Sequence, residues 1–396
     1  MADPSTAPPL TRASVEAAHR LIKPFIHETP VLTNSTLNKL ASTPRTPEEL
    51  AGTEWEGREP AKPVIRFWFK CENFQRGGAF KARGAFHAIE RLKREPGWEE
   101  GGGREKGVVT HSSGNHAGAL SLAALASSLP AHIVMPANAS PIKVAAVRDT
   151  YRANVTFSGP TAAEREAAAA RVVAETGARL VPPYDHPDIL LGQGTAALEL
   201  QEQFARLNRE AAAAAAATGG KPPRLDAVIT PLSGGGLLSG TALACSPRDG
   251  EEDRPGPPIY VFGAEPTLDG ADDGRRGLAQ GERIAAIGPT RTIADGLRTP
   301  VGKVPWTIIH DRKLVRAVYG VSETQIKRAL RLVWERMKVV VEPSAVVGLA
   351  AALFNEEFRA LIEKEGGEDG WDLGVIFSGG NVSLDGLEAL FREDSS

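Results

Sequence analysis

Cysteine is almost missing from this chain. Cys71 and Cys245 are the only two in 396 residues, and they form no metal-type spacing. A chain this long with two isolated thiols is expected in a reducing compartment, the cytoplasm. No run of 18 apolar residues occurs, so no membrane span is expected. Neither sign of charge prevails: 46 Lys and Arg stand against 49 Asp and Glu, mixed along the chain. That excludes a basic tract for nucleic acid or a lipid headgroup surface. The opening MADPSTAPPL has neither a basic region nor an apolar run, so no signal peptide is expected and residues 1–13 read as a flexible tail. The closing FREDSS carries no lipidation or peroxisomal signal. The eight histidines show no HExxH or other zinc spacing.

What is present is an alternation of short β-rich runs with longer helical patterns. VIRFWFK (64–70), GVVTHS (107–112), AHIVMP (131–136), DAVITPL (226–232), IYVFGAE (259–265) and LGVIFSG (373–379) read as strands. FKARGAFHAIERLKR, HAGALSLAALASSL, PIKVAAVRDTY and TAAEREAAAARVVAETGA read as helices. Strands apolar on both faces and separated by helices predict parallel sheets covered on each side, an α/β fold with at least two sheets. Two segments break the rhythm: a polar, Pro- and Glu-rich stretch (42–63) and an alanine run closed by Gly and Pro (208–223). The alanine run is expected to be a solvated helix with no role in the site.

Several junctions could carry chemistry. In RGGAFKARGAF, Lys81, Ala85, Ala88 and Leu92 share one helix face. Burial can lower a lysine pKa by ~3–5 units, and a helix start disfavours a cation. Both favour the neutral amine, the nucleophile of Schiff-base chemistry. From this stretch alone the plainer reading, a packed stem with its head in water, is the better fit. PLSGGGLLSG (231–240) joins a strand to a helix, and its glycines suit a phosphate cradle or a tight turn. It is neither a P-loop nor a dinucleotide fingerprint, because no Gly-Lys-Ser/Thr follows and Ser239 stands at the third glycine. HSSGNHAGAL (111–120) can hold an anion or cap a helix. Ser378 in FSGGNVSL ends a strand, where open α/β sheets bind ligands. Glu265, Asp269, Asp272 and Asp273 suit Mg²⁺ or Ca²⁺, or a solvated loop.

KCENFQRGGAFKARGA, THSSGNHAGAL, LLGQGTAALE, PLSGGGLLSG, TIADGL, LVWERMKVVVEPSA and SGGN occur here in the order found in the serine racemases and serine/threonine dehydratases. The chain resembles that family of pyridoxal-phosphate enzymes, fold type II (tryptophan synthase beta-like), over roughly residues 14–391 outside the two interruptions. The resemblance implies a large cofactor-binding domain of residues 14–106 and 187–396 and a small substrate-loop domain of 107–186. It places pyridoxal phosphate on Lys81, beside Phe80. It puts the cofactor phosphate in Ser233, Gly234, Gly235, Gly236 and Leu237, the phenolic oxygen at Asn115 and the pyridine nitrogen at Ser378. Ser112, Ser113, Asn115, His116 and Arg165 align with groups around the substrate carboxylate. Glu265, Asp273 and the carbonyl of Ala271 align with a Mg²⁺ or Ca²⁺ site.

Three departures stand out. The family's Thr-Gly-Ser before Phe-Lys is Gly77-Gly78-Ala79 here, removing two hydroxyls. The phosphate loop begins with Ser233 instead of glycine, so its hydroxyl is available to the phosphate. Two extra residues precede the Asp pair, leaving Asp269 and Asp273 as alternative metal ligands. By resemblance Lys81 removes the substrate α-proton. Loss of the β-hydroxyl then gives a 2-oxo acid, and reprotonation from the far face by Ser113 gives the D-amino acid. A serine racemase with L-serine (and L-threonine) dehydratase activity is expected. The alternatives are a dedicated dehydratase, a hydroxyaspartate-type substrate, and a noncatalytic amino-acid-binding module. The partners expected are a small amino acid and a second copy of the chain, with neither nucleic acid nor membrane.

Overall fold

The computed structural model describes residues 4–112, 114–139, 141–218, 220, 222–247 and 258–392. Among the described residues ten strands form two sheets. They are β1 (Val31–Leu32), β2 (Ile65–Cys71), β3 (Val108–His111), β4 (Ala131–Pro136), β5 (Asn154–Ser158), β6 (Arg179–Leu180), β7 (Ala227–Pro231), β8 (Tyr260–Pro266), β9 (Ala317–Val321) and β10 (Trp371–Phe377). The larger sheet has the order β1-β2-β10-β7-β8-β9, and the smaller β5-β4-β3-β6. Every pairing is parallel except β1 with β2.

All seven residues of β10 are buried; Leu373–Phe377 carry the apolar pattern of a doubly covered strand, and Asp372 is paired with Arg66. On one face of the large sheet, Phe67, Phe69, Phe262 and Phe377 pack against the helix Val347–Phe354. On the other face, Val228, Val261 and Ile376 share a core with Leu198 and Leu200 of one helix and Leu238 and Ala242 of another, on which α1 (Arg12–Ile22) packs through Val15 and Ala18. The small sheet packs Val108 and Ile133 against α2 (Lys81–Leu92) and α3 (Asn115–Ala126). Its second face is covered by the helix Ala162–Thr176.

Helix α4 (Pro187–Leu207) threads the middle of the molecule between α2 and α5 (Gly236–Cys245). Its GQG motif is explained by close approach. A Cβ on Gly192 would lie 2.7 Å from the Cα of Gly84, and one on Gly194 would lie 2.4 Å from the Gly240 carbonyl oxygen. Three helix backbones therefore cross in near contact, and LLGQGT acts through packing. The alanine run forms Arg209–Thr218, a helix with no buried residue. Segment 42–63 contains a short capped helix, Pro47–Leu50, which leans on the helix Val347–Phe354 through Arg45. The carboxyl ends of β2, β3, β7 and β10 lead directly into the four junctions singled out by sequence.

Candidate active site

After β2 the chain turns twice, at Glu72–Phe74 and Arg76–Gly78, before α2 begins with Lys81. Gly77 and Gly78 have φ of 71° and 74°, a conformation that favours glycine. A Cβ on Gly78 would also fall 2.4 Å from Asn381 Oδ1. The small residues let this turn lie against the SGGN turn. Phe80 N donates to the Ser378 carbonyl (3.0 Å), and Gly380 N donates to the Gly78 carbonyl (2.9 Å). Lys81 is thus fixed relative to the end of β10.

The Lys81 amine donates to the Pro183 carbonyl at 2.7 Å and lies 5.2 Å from the centre of the Phe80 ring. Desolvation by the surrounding protein lowers its pKa to about 8. Behind it, the fully buried Arg83 donates to both oxygens of Glu72 (2.7 and 2.8 Å) and both of Glu199 (2.9 and 2.7 Å). Lys70 adds a bond to Glu199 at 2.7 Å. Opposite charges hold Glu199 well below the usual carboxylate range despite its burial. This network anchors the first turn of α2 to β2 and α4.

The glycine loop runs from Leu232 into α5. Gly235 has φ of 91°, and a Cβ there would meet Pro305 at 2.6 Å. A Cβ on Gly234 would fall 2.3 Å from the Tyr184 ring. Leu237 is buried in the first turn, whose N–H groups have no intrahelical acceptors. The Ser233 hydroxyl donates to the Thr299 carbonyl (3.0 Å) and accepts from Thr299 N (3.2 Å). Its proton is therefore committed to protein, contrary to its expected availability to a phosphate.

The junction after β3 supplies Ser112, Asn115 and His116; Ser113 lies outside the described residues. Ser112 Oγ accepts from Gly114 N at 3.3 Å. Asn115 joins the two sheets. Its amide donates to Glu342 (2.8 Å), and its carbonyl accepts from Asn381 (2.9 Å). One amide hydrogen of Asn115 remains for a further acceptor. Burial, reinforced by the charge of Asp295, raises Glu342 to about 7. His116 is buried, and its pKa falls to about 3 through burial and the Lys81 charge. One ring nitrogen meets the Val181 carbonyl (3.3 Å), while Nδ1 is buried without a partner. Arg165 stands apart, donating to the Pro160 carbonyl (2.8 Å) near the surface.

The acidic loop divides into two. Asp269 is bonded to the Arg291 amide and guanidinium, at 2.9 to 3.1 Å on the surface. Asp272 pairs with Arg275 and Arg276. Glu265 and Asp273 are buried. Glu265 accepts from Gly274 N (3.1 Å) and Arg275 N (2.9 Å), and Asp273 from Val301 N (2.9 Å). Burial raises Asp273 to about 6, and burial together with Asp273 raises Glu265 well above the carboxylate range. Among the described residues no three His, Cys, Asp or Glu side chains gather at metal-binding distance. Glu265 and Asp273 offer two buried oxygen donors, and Ala271 lies two positions before Asp273 in the chain.

The donor set fits an aldehyde-bearing phosphate ester. It combines a desolvated amine, a glycine loop opening a helix, an amide hydrogen at Asn115, a hydroxyl at buried Ser378 and the unpartnered His116 nitrogen. Sequence reasoning gave no role to Glu342, Asn381 or Tyr184. The first two lie in the quoted EPSA and SGGN motifs, but only the fold brings them to Asn115. Tyr184 has no motif of its own.

The family profile described as pyridoxal-phosphate dependent enzyme matches residues 56–370. A serine racemase of Arabidopsis thaliana is 40% identical over 379 residues, covering 96% of this chain and 95% of the relative. A beta-hydroxyaspartate dehydratase of Paracoccus denitrificans (strain Pd 1222) is 38% identical over 371 residues, covering 94% and 96%. The crystal structure of serine racemase from Dictyostelium discoideum matches with a TM-score of 0.73 and 38% identity, covering 94% of this chain and 99% of that one.

Proposed function

The chain belongs to the pyridoxal-phosphate dependent enzymes, and on that premise we propose that it interconverts L- and D-serine and dehydrates L-serine to pyruvate and ammonia. The observation that carries this reading is the desolvated Lys81 amine, lowered to about 8, in a chain alignable to serine racemases over nearly its full length. L-Threonine, giving 2-oxobutanoate, is a second substrate of the same chemistry. The similarity to a beta-hydroxyaspartate dehydratase supports a β-hydroxy acidic amino acid as the competing substrate.

In this reading Lys81 holds pyridoxal phosphate beside Phe80, and the loop from Ser233 through Gly234, Gly235 and Gly236 to Leu237 surrounds its phosphate. When bound, the cofactor supplies an electron sink for the bond broken at the substrate α-carbon. Asn115, its orientation fixed by Glu342 and Asn381, would offer its remaining amide hydrogen to the phenolic oxygen of the bound cofactor. Ser378 meets the pyridine nitrogen with a hydroxyl and no charge. Ser112, Asn115 and His116 receive the substrate carboxylate; Arg165, bonded to Pro160 near the surface, takes no part in it. His116 is neutral there, so it orients by hydrogen bonding.

Once the substrate amine has taken its place, Lys81 Nζ is a free amine and takes the α-proton on one face. Departure of the β-hydroxyl leads, after hydrolysis, to the 2-oxo acid and ammonia. Ser113 returns a proton on the other face and so inverts the centre. The unit around the small sheet (107–186) carries Ser112, Asn115 and His116, and Asn115 bonds Glu342 of the larger unit (14–106 and 187–396). Glu265, Asp273 and the Ala271 carbonyl would hold a Mg²⁺ or Ca²⁺ ion; the engagement of Asp269 by Arg291 favours Asp273 over it. The working form is a cytoplasmic homodimer. Incubation with L-serine, followed by assays of pyruvate and D-serine, tests the reading. Both products support it, pyruvate alone leaves a dehydratase, and neither product refutes it.

A further inference from the structure

Segment 42–63, one of the two interruptions of the family pattern, is built into the fold at both ends. Near its start, Arg45 donates to the Leu353 carbonyl (2.8 Å); near its end, Ala61 N donates to Glu356 (2.9 Å). Leu50 is buried between them. The turn that follows is tied to itself. Thr53 Oγ1 donates to the Leu50 carbonyl (2.7 Å) and accepts from Trp55 N (3.1 Å), and Gly52 N donates to Glu56 (2.8 Å). A cavity of about 330 Å³ opens between this segment and the helices Glu323–Leu332 and Val347–Phe354. None of its lining residues belongs to the candidate active site.

Most charges that line the cavity are already spent. Glu356 is taken by Arg359 (2.7 Å) and Ala61 N. Arg45 and Arg328 both donate to Glu49 Oε1 (2.9 and 3.0 Å), and both lie over the Phe354 ring, 4.5 and 4.6 Å from its centre. Arg45 is largely buried by these contacts, but half of the Arg328 side chain is exposed. Among the described residues Glu49 is the one hydrogen-bond partner of Arg328, which leaves most of its N–H groups to spare. Gln325 lies one turn earlier on the same helix face. Its carbonyl oxygen accepts from Ser322 N (2.9 Å), and its NH₂ group has no acceptor among the described residues. Glu54 supplies the opposite charge. It is exposed, and it has no hydrogen bond or ion pair among the described residues. The half-buried Trp55 ring stands next to it in the chain.

We propose that this cavity is an accessory site for a zwitterionic α-amino acid. The carboxylate bonds to the Arg328 guanidinium and the Gln325 amide, the ammonium group to Glu54, and an apolar or aromatic side chain lies against Trp55 and Leu50. One unspent group of each sign selects for a molecule that carries both. A plain anion would gain Arg328 but meet Glu54, and a plain cation would gain Glu54 but meet Arg328. Hydrogen bonds between ionised partners are the strong ones, so two of them suffice to discriminate. Ligand pockets span ~300–1,000 Å³, and a cavity at the small end of that range suits a single amino acid. The inference is independent of which reaction Lys81 performs.

The test is calorimetry with L-phenylalanine on protein whose cofactor has been fixed by borohydride, so that no aldehyde remains to capture an amine. One equivalent should bind. 3-Phenylpropanoate, which lacks the ammonium group, and 2-phenylethylamine, which lacks the carboxylate, should each bind about tenfold more weakly or worse. Glu54→Gln should weaken L-phenylalanine about tenfold and leave 3-phenylpropanoate no weaker, so the preference between them disappears. Arg328→Met, which keeps an apolar stem over Phe354, should weaken both by about tenfold. Glu54 is exposed, so its variant keeps the test decisive even if Arg328→Met fails to fold. No binding of L-phenylalanine to the wild type overturns the inference. So does equal affinity for 3-phenylpropanoate, which would mean an anion site, and so does unchanged L-phenylalanine affinity in Glu54→Gln, which would place the binding elsewhere. Each of these failures leaves the Lys81 reading standing.

Discussion

Apo-protein mixed with pyridoxal phosphate across a pH series should capture it at a rate that follows the neutral fraction of one amine. Lys81 is lowered to about 8 by desolvation, whereas a free lysine titrates near ~10.4. At pH 7.5 the neutral fraction is then ~24% for Lys81 against ~0.1% for a free side chain, a difference of roughly 200-fold. The sign follows from the charge type. Lowering the pKa of a base enlarges its uncharged form at every pH between the two values, so capture should rise from pH 6, bend near 8 and be flat above 9. Dividing by the rate of Nα-acetyl-lysine under the same conditions cancels the ionisation of the cofactor itself. A protein rate that still climbs tenfold per pH unit through pH 9 to 10 would mean an ordinary, hydrated ammonium and would refute the reasoning.

Three further outcomes are expected. Lys81→Met should stabilise the apo-fold by ~1–3 kcal/mol at pH 7. In the wild type the unfolded chain keeps a proton between about pH 8 and ~10.4 that the folded chain has lost, so wild-type stability rises across that window. The advantage of the variant should therefore shrink to nothing by ~pH 10.4 in denaturant titrations; a constant advantage would point to packing alone. Ser113→Ala should abolish D-serine formation while pyruvate formation survives, and equal loss of both with cofactor bound would count against a separate acid on the far face. Arg83→Met leaves Glu72 and Glu199 short of their shared buried cation, so unfolding free energy should fall by ~3–5 kcal/mol; a change below ~1 kcal/mol would show that Lys70 and solvent suffice.

The central strands were legible because doubly covered strands are apolar throughout. AHIVMP was placed to the residue, and β2, β7, β8 and β10 within two residues at each end. The two-residue strands β1 and β6 were not, since Val31–Leu32 and Arg179–Leu180 carry no periodicity of their own and exist through their neighbours. β5, NVTFS, is an edge strand with mostly polar or exposed positions, so its pattern resembles a loop.

At the site, Lys81 could be singled out because a cation on an apolar helix face conflicts with its surroundings. Glu342 could not, because an isolated glutamate in EPSA gives no sign of meeting Asn115, 227 residues away. Ser233 shows a different limit. Sequence identifies a hydroxyl where glycine is usual but not its direction, and the fold turns it to Thr299. The same holds for Asp269 and Asp273. Spacing left both open as ligands, and the position of Arg291 separates an exposed ion pair from a buried carboxylate.

Reduction of the cofactor-loaded protein with borohydride, digestion and mass spectrometry tests the central claim most directly. The account predicts one pyridoxyl group per chain, on the peptide containing Lys81. A label on a different lysine, or none on protein that has bound the cofactor, would contradict it.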